Sequence, residues 1–180
     1  KPKITENTKL LLLSNPQIPG GMVWTREELM ELATICLENK IMIIADEIHS
    51  DLIFKGNKHI PLATLSPEIA KNCMISMAPS KTFNVAGLSS SLVIIPDKVK
   101  MARFERAIGV GHLGMGNIFG TLALEAAYTH GDEWLEELLD YLWENYLLLG
   151  NFFATHLPKG KVMKPEATYL IWPEFRAYGM

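Results

Sequence analysis

Two cysteines in 180 residues, Cys36 and Cys73, are too few for a disulfide scaffold, and both fall in segments that read as a helix and a buried strand. A reducing, cytoplasmic setting is the resulting expectation. The chain also lacks any basic run, since 17 Lys plus Arg stand against 20 Asp plus Glu for a formal net charge of −3. With no electrostatic footprint for a phosphate backbone, nucleic acid is not expected as a partner. Apolar runs fall far short of the ~18 residues that a membrane span needs, so no membrane role is expected. The polar opening at residues 1–9 carries no apolar stretch of the kind an export signal has. No repeat, low-complexity tract or Gly/Ser-rich linker interrupts the chain. What it has in quantity is apolar surface: 48% of residues are hydrophobic and 21% charged, the balance of an ordinary globular protein. A chain of this length buries about 70% of its unfolded surface, enough for one core or for one domain plus part of another. A start without Met and a stop at the opening of another helix read as an internal fragment.

Four short apolar runs, at 10–13, 41–45, 74–77 and 92–95, are bounded by turn residues and predict strands covered on both faces, hence α/β architecture with a mostly parallel sheet. Between the first two, Thr25 and Glu28 form a capping box ahead of Leu29, Leu32, Ala33 and Cys36, which predicts a crossover helix. Further helices are expected from Asp97 to Ala107, from Asn117 to Tyr128, and from Asp132 to His156. In the last, Trp134, Leu135, Leu138, Leu139, Leu142, Tyr146 and Leu149 recur at three and four residue spacing and read as core. The alternating, β-prone segment from Lys161 to Trp172 predicts a strand of a separate, smaller unit.

Ligands of open α/β sheets collect beyond the carboxyl ends of the strands. Asp46 and His49 follow the second run, and Ser80 and Lys81 follow the third. Taken singly, Asp46 reads as a turn cap, His49 as a hydrogen-bonded core histidine and Lys81 as a solvated side chain. Together they put a carboxylate, an imidazole and an amine at neighbouring strand ends, where a partly desolvated lysine becomes a candidate nucleophile. His59, His112, His130 and His156 lack metal-ligand spacing, so no metal is expected.

The run DEIHSDL at 46–52 and the run APSKTFN at 78–84 are the strongest of a series. The others are Asn15-Pro16 with Pro19 to Gly21, the run VWTREEL at 23–29, Ala86 to Leu88, Asn117 to Gly120, and EATYL at 166–170. The series resembles the fold-type I enzymes dependent on pyridoxal 5′-phosphate (PLP), in the aminotransferase class I/II superfamily, and within it the cystathionine β-lyase or cysteine-S-conjugate β-lyase branch. The resemblance implies residues 1–131 as the second half of a large PLP-binding domain, 132–156 as an interdomain helix and 157–180 as the start of a small C-terminal domain. It implies Lys81 as the catalytic lysine that forms the Schiff base with PLP, and Asp46 as partner of the pyridine nitrogen. His49 would lie near the cofactor phenolate and Ser80 in the phosphate region.

The implied activity is β-elimination from cystathionine or a related small amino-acid substrate, giving thiol, pyruvate and ammonia, in a cytoplasmic homodimer whose sites are completed across the interface. The alternatives are a class I/II aminotransferase and a non-catalytic regulator with a protein partner on the same fold. Two positions depart from the family pattern. Ile18 stands where relatives carry an asparagine that hydrogen-bonds the phenolate, and Ser89 where many carry a phosphate-binding arginine. Asn15 is expected to be a turn residue. Arg26, Arg103, Arg106 and Arg176 are all expected on helical surfaces rather than as ligands of a substrate carboxylate.

Overall fold

The computed structural model describes residues 4–114 and 116–180; Lys1, Pro2 and Lys3 of the polar opening lie outside the described residues. Four strands form one sheet in the order β1 (Leu10–Ser14), β2 (Met42–Asp46), β3 (Cys73–Met77) and β4 (Leu92–Ile94). β1, β2 and β3 run parallel, with Leu13 opposite Ala45 and Ala45 opposite Ile75, while β4 returns antiparallel beside β3.

The crossover from β1 to β2 is α1 (Arg26–Glu38), opened by the expected capping box: Glu28 N–H donates to the Thr25 hydroxyl at 3.2 Å and Thr25 N–H to the Glu28 carboxylate at 2.9 Å. Leu29, Ala33 and Cys36, spaced four and three apart, bury the inner face of α1 against Leu13, Ile43, Cys73 and Ile75. A short helix, α2 (Pro67–Asn72), capped by Ser66, adds Ile69 to the same core.

This cluster covers one face of the sheet only. Leu12 is 72% exposed and Leu10 nearly half exposed, because alternate residues of a strand point to opposite faces. The expectation of strands covered on both faces is thus corrected: among the described residues no helix covers the second face, where Ile44, Met74 and Ser76 are half-buried. Continuous apolar runs report that both faces are apolar, not what lies on them.

Helical structure then dominates: α3 (Pro79–Thr82), α4 (Lys98–Val110) capped by Asp97, α5 (Ile118–His130) capped by Asn117, and α6 (Asp132–His156). The α6 stripe is only half-buried, and Phe153 is the residue of that helix fully withdrawn from solvent. Its expected role as core is therefore met only in part, since Trp134, Leu138 and Leu142 line a cavity instead. The expected strand over 161–172 is also corrected. It shrinks to the two-residue β5 (Lys161–Val162) paired antiparallel with β6 (Pro173–Glu174). The residues between them spend their backbone hydrogen bonds elsewhere: Glu166 and Ala167 N–H both donate to Gly21 O at 2.9 Å, and Thr168 N–H donates to Leu52 O at 2.7 Å. The connection is thereby fastened onto the loops that follow β1 and β2.

Candidate active site

Asp46 closes β2 on the bare face, in register with Ser14 and Ser76. These residues, with Leu12, Ile44, Ile48, Met77 and Ala78, line a cavity of about 480 Å³. The Asp46 carboxylate also accepts the Ile48 N–H at 3.2 Å, so it caps the turn and faces the groove at once.

That turn carries His49 into the interior, where it is 4% exposed. The reading of His49 as a hydrogen-bonded core histidine fails on one atom: buried Nδ1 has no hydrogen-bond partner. Burial holds the imidazole below its ordinary pKa, the Asp46 carboxylate opposes this, and the Lys81 ammonium adds to it. His49 therefore lies within electrostatic reach of both residues.

Ser80 and Lys81 sit on α3, with Pro79 at the helix start where its missing N–H costs nothing. They line a second cavity of about 300 Å³ with Asn84, Ala86, Trp134, Leu138, Leu142 and Tyr169. The four predicted residues thus divide between two spaces, Asp46 on the groove and Ser80 and Lys81 on the pocket, with His49 buried nearby. Tyr169, from the segment after α6, meets the His49 ring edge to face at 5.1 Å. Its signal in the sequence was the run at 166–170, which gave no hint of which member faces the lysine.

Beneath the site, Glu47 is a fully buried carboxylate. It accepts Leu62 N–H at 2.9 Å and pairs with His59 Nε2 at 2.9 Å, tying the loop at 59–62 to the end of β2. Removing one member leaves the other's buried polar atom without a partner, at a cost of about 1–3 kcal/mol. Asn15 belongs to this layer, which corrects its reading as a turn residue: it is fully buried and its side-chain amide donates to Ile60 O at 3.1 Å. Ile18 lies in a turn closed by Gln17 N–H to Met22 O, and it lines neither cavity. Among the described residues no arginine lines either space, and Arg176 instead pairs with Glu174 at 2.9 Å.

The sheet thus brings a carboxylate, an imidazole and an amine to neighbouring strand ends, and comparison with known proteins names the family. The profile of aminotransferase class I and II matches residues 1–179, and the chain belongs to that family. Cystathionine beta-lyase PatB of Bacillus subtilis is 47% identical over 171 residues, which cover 95% of this chain and 44% of PatB. A PLP-bound structure from Clostridium difficile 630, provisionally described as an aminotransferase, superposes with a TM-score of 0.94 at 45% identity, covering 97% of this chain and 45% of that one. The PLP-bound C-S lyase of Staphylococcus hominis gives 0.87 at 37% identity, covering 94% of this chain and 42% of that one. The chain spans less than half the length of each of these relatives.

Proposed function

We propose that the protein this chain belongs to is a PLP-dependent carbon-sulfur β-lyase that cleaves cystathionine or related cysteine conjugates to thiol, pyruvate and ammonia. The observation that carries the reading is the buried, unpartnered Nδ1 of His49 beside both Asp46 and Lys81. An unmet buried polar atom costs about 1–3 kcal/mol. The set of a carboxylate, an imidazole and an amine at neighbouring strand ends has the donor chemistry that would hold PLP.

On this reading Lys81 holds the cofactor covalently and Asp46 holds the pyridine nitrogen in its protonated form. When bound, PLP supplies an electron sink for charge developing at the substrate Cα. Lys81 Nζ would take the Cα proton as general base. His49, kept neutral by burial, has an Nδ1 free for a hydrogen bond to the phenolate oxygen, the task that Ile18 cannot perform. Ser80 lines the lysine pocket and is assigned to the phosphate region. Residues 1–131 are assigned to the large domain, 132–156 to the interdomain helix and 157–180 to the small domain. The full-length protein is assigned as a homodimer acting on a small amino-acid substrate, with phosphate and carboxylate ligands supplied from outside this chain.

The Clostridium difficile neighbour supports a second reading, an aminotransferase, in which the same Lys81 would move the proton and no thiolate would leave. The test is pyruvate release from cystathionine by the full-length protein, run beside keto-acid-dependent amino exchange. Pyruvate from the native protein, and its loss by at least about a thousandfold in Lys81→Ala, is expected of a lysine that both anchors the cofactor and moves the proton. Amino exchange without pyruvate selects the aminotransferase, and pyruvate retained by Lys81→Ala rejects the assignment.

A further inference from the structure

α3 spans four residues, too short a helix to fix the direction of a side chain by its own hydrogen bonds. What holds it lies on the two residues after Lys81. Thr82 is fully buried, and its hydroxyl donates to Asp51 Oδ2 at 2.8 Å. Tyr128 OH, from α5, reaches the same oxygen at 3.4 Å. Burial and the neighbouring Asp51 carboxylate push the Tyr128 phenol up to about 12, so it stays a donor at any ordinary pH. Phe83 packs edge-on against Tyr128 at 5.7 Å and tilted against Trp134 at 5.7 Å. A Cβ at Gly131 would stand 2.3 Å from the Phe83 ring, so the glycine opens the slot that the ring occupies.

Asp51 belongs to the same loop as His49, two residues further on, and is used by no step of the reaction described above. We infer that Asp51 is the positioning residue for Lys81: through the Thr82 hydroxyl it fixes the catalytic turn to the His49 loop, so that amine and imidazole keep one relative placement. The inference rests on the lyase reading for what Lys81 does, but the anchoring itself does not require the cofactor. A hydrogen bond to a charged acceptor is worth enough to change a rate by about tenfold or more when its loss lets a reacting group wander.

The test uses the full-length protein and four variants: Asp51→Ala, Asp51→Asn, Thr82→Val and Thr82→Ser. Without cofactor, acetic anhydride at limiting dose labels Lys81 in competition with the exposed Lys55, read by mass spectrometry. With cofactor, kcat and KM are measured on cystathionine. In Asp51→Ala and Thr82→Val the Lys81 label rises at least about threefold relative to Lys55, as expected of a local opening. In the same variants kcat falls about tenfold while KM changes little. Thr82→Ser and Asp51→Asn, which keep the donor and an acceptor oxygen, restore both readings. Thr82→Val is nearly isosteric, so it decides the matter even where Asp51→Ala does not fold. Native labelling and native kcat in Thr82→Val overturn the inference, and so does a Thr82→Ser that behaves like Thr82→Val, since packing alone would then be at work. Labelling that responds as described in a protein that releases no pyruvate overturns the lyase reading and leaves the anchor standing.

Discussion

Burial holds the His49 imidazole below the ordinary histidine value of 6.5. In the window between its folded value and 6.5 the unfolded chain binds the extra proton, so stability there rises with pH and is lost on acidification. The contribution of His49 is complete above 6.5 and declines below it. Replacing His49 with Asn, which cannot take up that proton, is expected to flatten the acid limb of a denaturation series run from pH 7 to pH 5. An unchanged slope would assign the limb to other groups. His49 stood out in the sequence because of its spacing from Asp46 at a strand end. The sequence could not show that Nδ1 goes unsatisfied, which depends on what the fold brings round it. Asp51, Thr82 and Tyr169 were missed for the same reason: each stood inside a run already singled out, but only packing of α3, α5 and the 166–170 segment gives them neighbours. Glu47 drew no reading from the sequence, and it is buried because His59 and Leu62 N–H meet its carboxyl group.

Elements with a physical marker at their ends were legible. The capping box of α1, Asp97 before α4 and Asn117 before α5 each satisfy amides that the helix leaves free, and each falls where the residues place it. Thr25→Ala is accordingly expected to cost about 1 kcal/mol, the ordinary loss for a cap, in a urea unfolding series. A deeper cut, Leu29→Ala at a position with no solvent exposure, is expected to cost about 2–5 kcal/mol from lost transfer energy plus a cavity. A ranking with Thr25 above Leu29 would contradict the packing described here. Elements without such markers were not legible. α3 is shorter than any periodicity can register, and β-prone residues at 161–172 alternate without forming a strand because Gly21 and Leu52 take the hydrogen bonds of the middle residues.

At the scale of the molecule, one face of the sheet is packed by α1 and α2 and the other is uncovered among the described residues, with Leu10 and Leu12 facing outward on the side of the Asp46 groove. The architecture was readable from the alternation of apolar runs and helices, as α/β folds are. The bare face was not, because a run of apolar residues is the same whether its cover lies in this chain or elsewhere. The relatives it matches are more than twice as long, and the site assembled here holds a carboxylate, an imidazole and an amine but no arginine among the residues lining its cavities. The central claim is that these three groups serve PLP through Lys81. Incubating the full-length protein with PLP, reducing it with borohydride and mapping the pyridoxyl group by mass spectrometry tests this directly. The account predicts one adduct, on Lys81, absent after Lys81→Ala. An adduct on another lysine, or none, would contradict it.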